Sequence, residues 1–315
     1  MAFADLKNDY IFRRIFGEHT DLLRRLLNDL LERTGADLIE HLERLPGEQF
    51  SPVEGGKLSI VDVRCRDRRG TTFVVEMQLI HHPGFISRVV YNACKAYSRQ
   101  LNQGEWYTEL KDVIAISICD FALWPDAEQD KAGLPRVPML SRWNMTERSS
   151  RTNGILQVQY AFLELPKLPA ERPQEEGANL WAWLFVNAPR LTEVPPDLQP
   201  GPFREALELA STAKLTEEQI YAYEKTRDEI RQVQEIANAR FAEGEKKGKL
   251  EGKLEGKLEG ELKAKRETLL RLLTRAALPL TDDEKARIET CADTALLDQW
   301  IDNVFGAKSA AEVLS

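Results

Sequence analysis

The sequence predicts a mixed α/β core over roughly the first two thirds of the chain, followed by a helical C-terminal extension. Three observations predict it. Residues 58–79 form two alternating, β-branched runs separated by the turn residues Arg68, Arg69 and Gly70, which is a hairpin pattern. FISRVVYNACKAYSRQL repeats Phe85, Val89, Ala93, Tyr97 and Leu101 at every fourth position, an apolar helical stripe. VIAISIC is almost wholly apolar, as expected of a strand covered on both faces.

The elements follow in order. KNDYIFRRIFG places Tyr10, Ile11, Ile15 and Phe16 near one stripe, with Gly17 as a stop. Thr20 or Asp21 then caps a second helix through LLRRLLNDLLER, ending near Gly35. Residues 42–57 carry Pro46, Gly47, Pro52, Gly55 and Gly56 and read as loop. In the first arm of the hairpin Val61, Val63 and Cys65 share one face, and Ile60, Asp62 and Arg64 the other. In the second arm Phe73, Val75, Met77 and Leu79 point one way and Val74, Glu76 and Gln78 the other. The helix that follows closes at Gly104. Beyond VIAISIC another strand is expected at ILQVQYAFLEL, and a tryptophan-containing helix around residues 178–187 is expected to cover the core.

After Pro195, Pro196 and Pro200 the character changes. The reading divides the chain into a core domain at 1–195, a polar helical segment at 196–240, a repeat at 241–265 and a small helical domain at 266–315. The repeat, GEKKGKLEGKLEGKLEGELKAK, sets Leu250, Leu254, Leu258 and Leu262 four apart, with Gly244, Gly248, Gly252, Gly256 and Gly260 in the same period. Each glycine inside a helix costs about 1 kcal/mol relative to alanine. Lysine also falls over lysine and glutamate over glutamate, which is mildly repulsive. A weakly helical linker is the expectation, with a close-packed helical pair as the alternative. In the tail, Thr281 with Glu284 three residues later forms a capping box.

The formal net charge is -8, which does not suit a protein built mainly as a basic wrapper for nucleic acid. Residues 1–100 hold 15 Lys and Arg against 14 Asp and Glu, so the acidity lies further on and leaves room for a nucleic-acid site near the N-terminus. Cys65, Cys94, Cys119 and Cys291 make no CxxC pair, and buried free thiols in a reducing cytosol are expected. The N-terminal residues do not read as a signal peptide and no long apolar run spans a membrane, so a cytoplasmic protein is expected.

The hairpin carries the chemistry. If its turn takes three residues, Asp67 faces Thr71 and Asp62 falls opposite Glu76. Directly opposed Cβ atoms lie about 4.5–5.5 Å apart, where two like charges destabilise a sheet unless a cation sits between them. Two carboxylates completed by water and phosphate oxygens suit Mg²⁺. Gln78 shares their face; its amide can orient a water or a phosphate oxygen but cannot carry charge. Alternation alone fits an ordinary hairpin with polar residues facing solvent equally well.

A resemblance bears on that choice. VDVRCRDRRGTTFVVEMQ, then FISRVVYNACKAYSRQLNQGEWYTEL, then VIAISICDF, with KNDYIFRRIFG ahead of them, resembles the Rpn family of recombination-promoting nucleases, PD-(D/E)XK transposases. The match runs in order over roughly residues 5–190, and the repeat and tail resemble the extensions of such proteins. The resemblance implies a restriction-endonuclease-like mixed sheet flanked by helices, Mg²⁺ dependence and DNA cleavage in recombination or mobile-element biology. It implies Asp62 and Glu76 as metal ligands and Gln78 where many nucleases of the superfamily keep lysine. It sets Lys7 and Asp9 at the border of the site, with Lys7 a candidate for contact with DNA. Arg88, Lys95 and Arg99, opposite the apolar stripe of their helix, are candidates for DNA phosphate contacts or for a solvated face. His81 and His82 read as loop residues, Tyr91, Tyr97 and Tyr107 as core or edge aromatics, and Glu164 with Lys167 as a strand-end ion pair. Nucleases of this fold often pair to cut both strands, which makes a homodimer one candidate assembly, while the sequence itself does not fix the oligomeric state. The alternative is a weakened descendant that binds DNA or protein without cutting, a reading the absent lysine favours.

Overall fold

A computed structural model describes residues 2–49, 59–173 and 175–315. The chain divides into two compact units, Met1–Gln234 and Glu235–Ser315. Among the described residues no helix is long and apolar enough to cross a membrane.

The first unit opens with a short helix α1 (Asp9–Phe12), which widens into a π turn at Arg13–Gly17, so the single helix expected there is interrupted. Asn8 starts it: its side chain accepts the Tyr10 and Ile11 amides at 3.0 and 3.4 Å. Ile11, Phe12, Ile15 and Phe16 are fully buried. Helix α2 (Thr20–Leu30) buries Leu22, Leu23, Leu26, Leu27 and Leu30. Its cap residue is His19, without a side-chain cap bond, and it stops at Leu30, short of Gly35.

The stretch expected as loop from residue 42 contains strands β1 (Leu42–Leu45) and β2 (Glu48–Gln49); residues 50–57 of it lie outside the described residues. Strands β3 (Ser59–Ile60), β4 (Val63–Asp67) and β5 (Thr72–Gln78) follow. Helix α3 (Phe85–Ser98) leads to β6 (Val113–Cys119), and α4 (Asp126–Lys131) to β7 (Leu140–Thr146) and β8 (Asn153–Glu164). The sheet has the order β1-β4-β5-β6-β8-β7, with β2 and β3 paired separately. Its centre is parallel (β5 with β6, β6 with β8) and its outer pairs are antiparallel.

Both faces of the sheet are covered. One carries Val63, Cys65, Phe73, Val75, Met77, Ile114 and Ile116 against α2 and against α5 (Ala178–Asn187) and α6 (Pro202–Leu209). Trp181 anchors this side, its ring 5.6 Å from Phe16 and 4.5 Å from Phe203 and its indole N–H bound to Asp29 at 2.8 Å. Burying an apolar side chain of this size contributes roughly 1.5–3 kcal/mol. The opposite face packs Val74, Val113, Ala115 and Phe162 against Phe85, Val89 and Ala93 of α3, the stripe read from the sequence. Residues 202–234, expected as part of a separate helical segment, pack with this unit through Phe203, Leu207, Leu215 and Tyr223.

Helix α7 (Glu217–Arg275) runs unbroken through the Leu-Gly-Lys-Glu repeat, where a weakly helical linker was expected. The second unit adds α8 (Asp282–Thr290), α9 (Thr294–Asn303) and α10 (Ala310–Val313) around Leu269, Leu273, Ile288, Leu297 and Trp300. The capping box at Thr281 and Glu284 is formed. Cys65 and Cys119 are buried, whereas Cys94 is exposed because it lies on the outer face of α3.

Candidate active site

The turn Asp67–Gly70 sets the register of the hairpin. Asp67 N donates to Thr71 O at 3.0 Å, and Val63 pairs with Val75 and Cys65 with Phe73. Extended one step, that register would set Asp62 across from Glu76, but the ladder ends at Val63 and Val75. The first arm is not one straight strand. It breaks at Asp62, whose Oδ2 accepts the Met77 amide at 2.8 Å in place of a backbone carbonyl. The break sends Val61 to the α3 side of the sheet while Val63 and Cys65 stay on the other, so the three do not share the face alternation assigns them.

Glu76 leaves β5 towards α3 and is 5 % exposed. Asn92, one turn beyond Arg88 on α3, donates its amide to Glu76 Oε1 at 2.8 Å. Oε2 is buried and has no hydrogen-bond partner among the described residues. Its nearby cation is the Arg88 guanidinium, 3.7 Å away. Arg88 also donates to Gln78 Oε1. Burial pushes the Glu76 carboxyl above the usual range, with the Asp62 charge adding to it; Asn92 and Arg88 pull it back.

Asp62 is also sheltered, its side chain 8 % exposed, and Arg13 holds Oδ1 through Nη2 at 2.7 Å and Nε at 3.2 Å. Asp9, one turn before Arg13, feels the same charge. Burial first, then Asp62, raise its carboxyl from 3.8 to about 6, against the pull of Arg13. Two clefts flank the site. One, of about 400 Å³, is lined by Asp9, Arg13, Arg14 and Arg44. The other, of about 340 Å³, is lined by Lys7, Leu79 and Asp120, with Lys7 bound to Asp120 at 2.8 Å. Asp62 and Glu76 line neither; they lie beneath the surface between these neighbours.

An oxygen-binding cation fits the residues present. A buried carboxylate oxygen without a donor, beside a second carboxylate, is an arrangement a cation stabilises and a proton donor does not yet serve. The described residues gather no group of three or more His, Cys, Asp or Glu side chains, so the protein offers two carboxylates, which suffices for Mg²⁺ when water and phosphate complete the shell.

The other residues singled out from sequence fall as follows. Arg88 and Arg99 are exposed, whereas Lys95 is buried at 5 %, its ammonium 5.5 Å from the Tyr91 ring, and does not display itself as a phosphate contact. Tyr107 is 85 % exposed, neither core nor edge. His82 Nδ1 accepts the Gly84 amide at 3.0 Å and His81 meets Phe121 edge-on, both loop roles. Glu164 pairs with Lys167 at 3.1 Å at the end of β8 and also accepts the Leu123 and Trp124 amides. Sequence reasoning missed Arg13 and Asn92. Their signal was helical spacing: Arg13 is four residues after Asp9, and Asn92 four after Arg88.

A family model described as PD-(D/E)XK nuclease family transposase matches residues 6–239. No curated protein and no solved structure matches the chain. The mixed six-stranded sheet flanked by helices is consistent with the restriction-endonuclease-like fold of that family.

Proposed function

Because the chain belongs to the PD-(D/E)XK nuclease family transposases, we propose that it is a metal-dependent DNA endonuclease acting in recombination or on mobile elements. The observation that supports this reading is the buried Oε2 of Glu76, which has no donor among the described residues and feels the charge of Asp62. Asp62 and Glu76 would hold Mg²⁺, which when bound lowers the pKa of a water and offsets charge on the phosphate.

The chain's own residues do the rest. Asn92 orients Glu76, and the Met77 amide and Arg13 orient Asp62. Gln78 cannot replace the charge of a lysine, but Arg88 brings a guanidinium to it from α3. Arg88 thus supplies the positive charge next to the carboxylates, where it can meet a phosphate oxygen. Asp9 keeps its proton up to about pH 6, well above an ordinary carboxyl, and stands on the cleft beside Arg13. Cutting both strands of a duplex from one site per chain would call for two copies, and sedimentation of the full chain tests whether it pairs.

The test is nicking of a supercoiled plasmid by the full chain with Mg²⁺, Mn²⁺ or EDTA, beside Asp62→Ala. Metal-dependent nicking that Asp62→Ala abolishes is expected. Nicking no greater than the Asp62→Ala background would favour a protein that binds without cutting. Arg88→Met should lower single-turnover cleavage by about 10²–10³, the usual loss for one preorganised donor, and Arg88→Lys should restore part of it.

A further inference from the structure

A cleft of about 750 Å³ opens at the turn end of the β4–β5 hairpin, away from Asp62. Arg64, Arg66, Arg68, Arg99 and Lys111 line it. Arg64 faces Val74 and Arg66 faces Thr72, so both side chains leave the sheet on the face that carries Glu76. Thr72 is four residues from Glu76, about 13 Å along the strand.

The cations here are crowded. Arg64 Nε is buried with no hydrogen-bond partner among the described residues, and the guanidinium has one long contact, 3.5 Å to Pro46 O. Burial, then repulsion from Arg99 and Arg66, pull its pKa down, so an anion placed here relieves a standing penalty. Most acids in the cleft are occupied. Glu43 takes Arg66 at 2.8 Å, Asp67 accepts the Arg69 and Thr71 amides at 2.9 Å, and Glu105 accepts the Asn102 amide at 2.6 Å. Between Glu105 and Glu109, both of which line the cleft, stand Trp106 and Tyr107, 77 % and 85 % exposed. Single exposed aromatics are ordinary; two in sequence, between residues that line a cationic cleft, suit stacking on flat, charged-backbone ligands.

We propose that this cleft binds single-stranded DNA, with phosphates on Arg64, Arg68 and Lys111 and bases stacked on Trp106 and Tyr107. The proposal rests on the nuclease reading for the identity of the polymer and deepens it. A span of about 13 Å is only a few nucleotides of an unstacked strand, so the cleft takes the strand close to, but not at, the scissile phosphate. An unpaired strand is required because stacking on a side chain needs a base free of its neighbours.

Fluorescence anisotropy of the full chain in EDTA, with labelled oligo-dT of 12 nucleotides and a 12-base-pair duplex, tests it without any cleavage. The single strand should bind more tightly than the duplex. The Trp106→Ala/Tyr107→Ala variant, whose changes are fully on the surface, should lose at least about tenfold for the single strand and less than about twofold for the duplex. Arg68→Ala/Lys111→Ala should reduce the slope of log K against log salt for the single strand by about 1.4. Binding is read in EDTA, where a metal-dependent cut does not occur, so a failed nicking assay and a failed cleft are told apart. A single strand bound no better than duplex, or unchanged by the double aromatic variant, overturns the proposal.

Discussion

Replacing Asn92 by leucine removes the hydrogen bond that its amide donates to the Glu76 carboxylate. The donor lies 2.8 Å from Oε1, and both side chains are almost wholly buried. A hydrogen bond to a charged group contributes about 1.5–3 kcal/mol. At 1.36 kcal/mol per pH unit, its loss should raise the Glu76 carboxyl by about one to two further pH units. The direction is fixed by the present balance: burial and Asp62 already push this carboxyl up, while Asn92 and Arg88 pull it down. Only the ionised carboxylate holds a cation, so the pH at which Mn²⁺ binds half-maximally should climb by that amount, and the acid limb of plasmid nicking should climb with it. Stability is the poorer readout, because Asn92 Oδ1 is itself buried without a donor among the described residues and leucine removes that penalty too. Calorimetric Mn²⁺ titration of parent and Asn92→Leu from acid to neutral pH measures the shift. A midpoint unmoved within about 0.3 pH would refute the idea that Asn92 keeps Glu76 ionised.

Three further outcomes are expected. The folded chain keeps the Asp9 proton up to about 6 while the unfolded chain releases it near 3.8, so Asp9 erodes stability as pH rises through that window. The shift is worth about 3 kcal/mol before screening and roughly half of that for a partly exposed group. Asp9→Asn should therefore raise the urea midpoint at pH 7 and leave it unchanged near pH 3.5; an equal gain at both would contradict the assignment. Glu164→Ala leaves two backbone amides without their acceptor and takes the carboxylate from Lys167, which keeps Val137 O, so it should cost about 3–5 kcal/mol in urea unfolding, with a loss under about 1 kcal/mol disproving the role. Gly252 and Gly256 have open space where a Cβ would sit, so Gly252→Ala/Gly256→Ala should add about 0.5–1 kcal/mol of helix stability per site, read as higher helicity and melting temperature by circular dichroism; a fall in either would mean that the glycines serve a close contact.

The sequence by itself determined what local periodicity and short-range chemistry can carry. The three-residue turn set the pairing of Val63 with Val75 through Arg66 with Thr72, because a hairpin's register follows from its loop length. The stripe Phe85, Val89 and Ala93 and the buried run Val113–Cys119 were readable because α3 packs on one side and β6 is covered on both. The Thr281 capping box lies within four residues and needs nothing else. Tertiary structure decided the rest. β1 became a strand by pairing with β4, which no alternation in Leu42–Leu45 announces. Lys95 was buried by packing that charge patterning does not contain. At the site, the break at Asp62 depends on a side chain taking the Met77 amide, and the partners Arg13 and Asn92 arrive from helices 49 and 16 residues away in sequence. Pattern reports the period of an element; which charge meets which carboxylate follows from how separate elements stack, and that is a long-range outcome of burial.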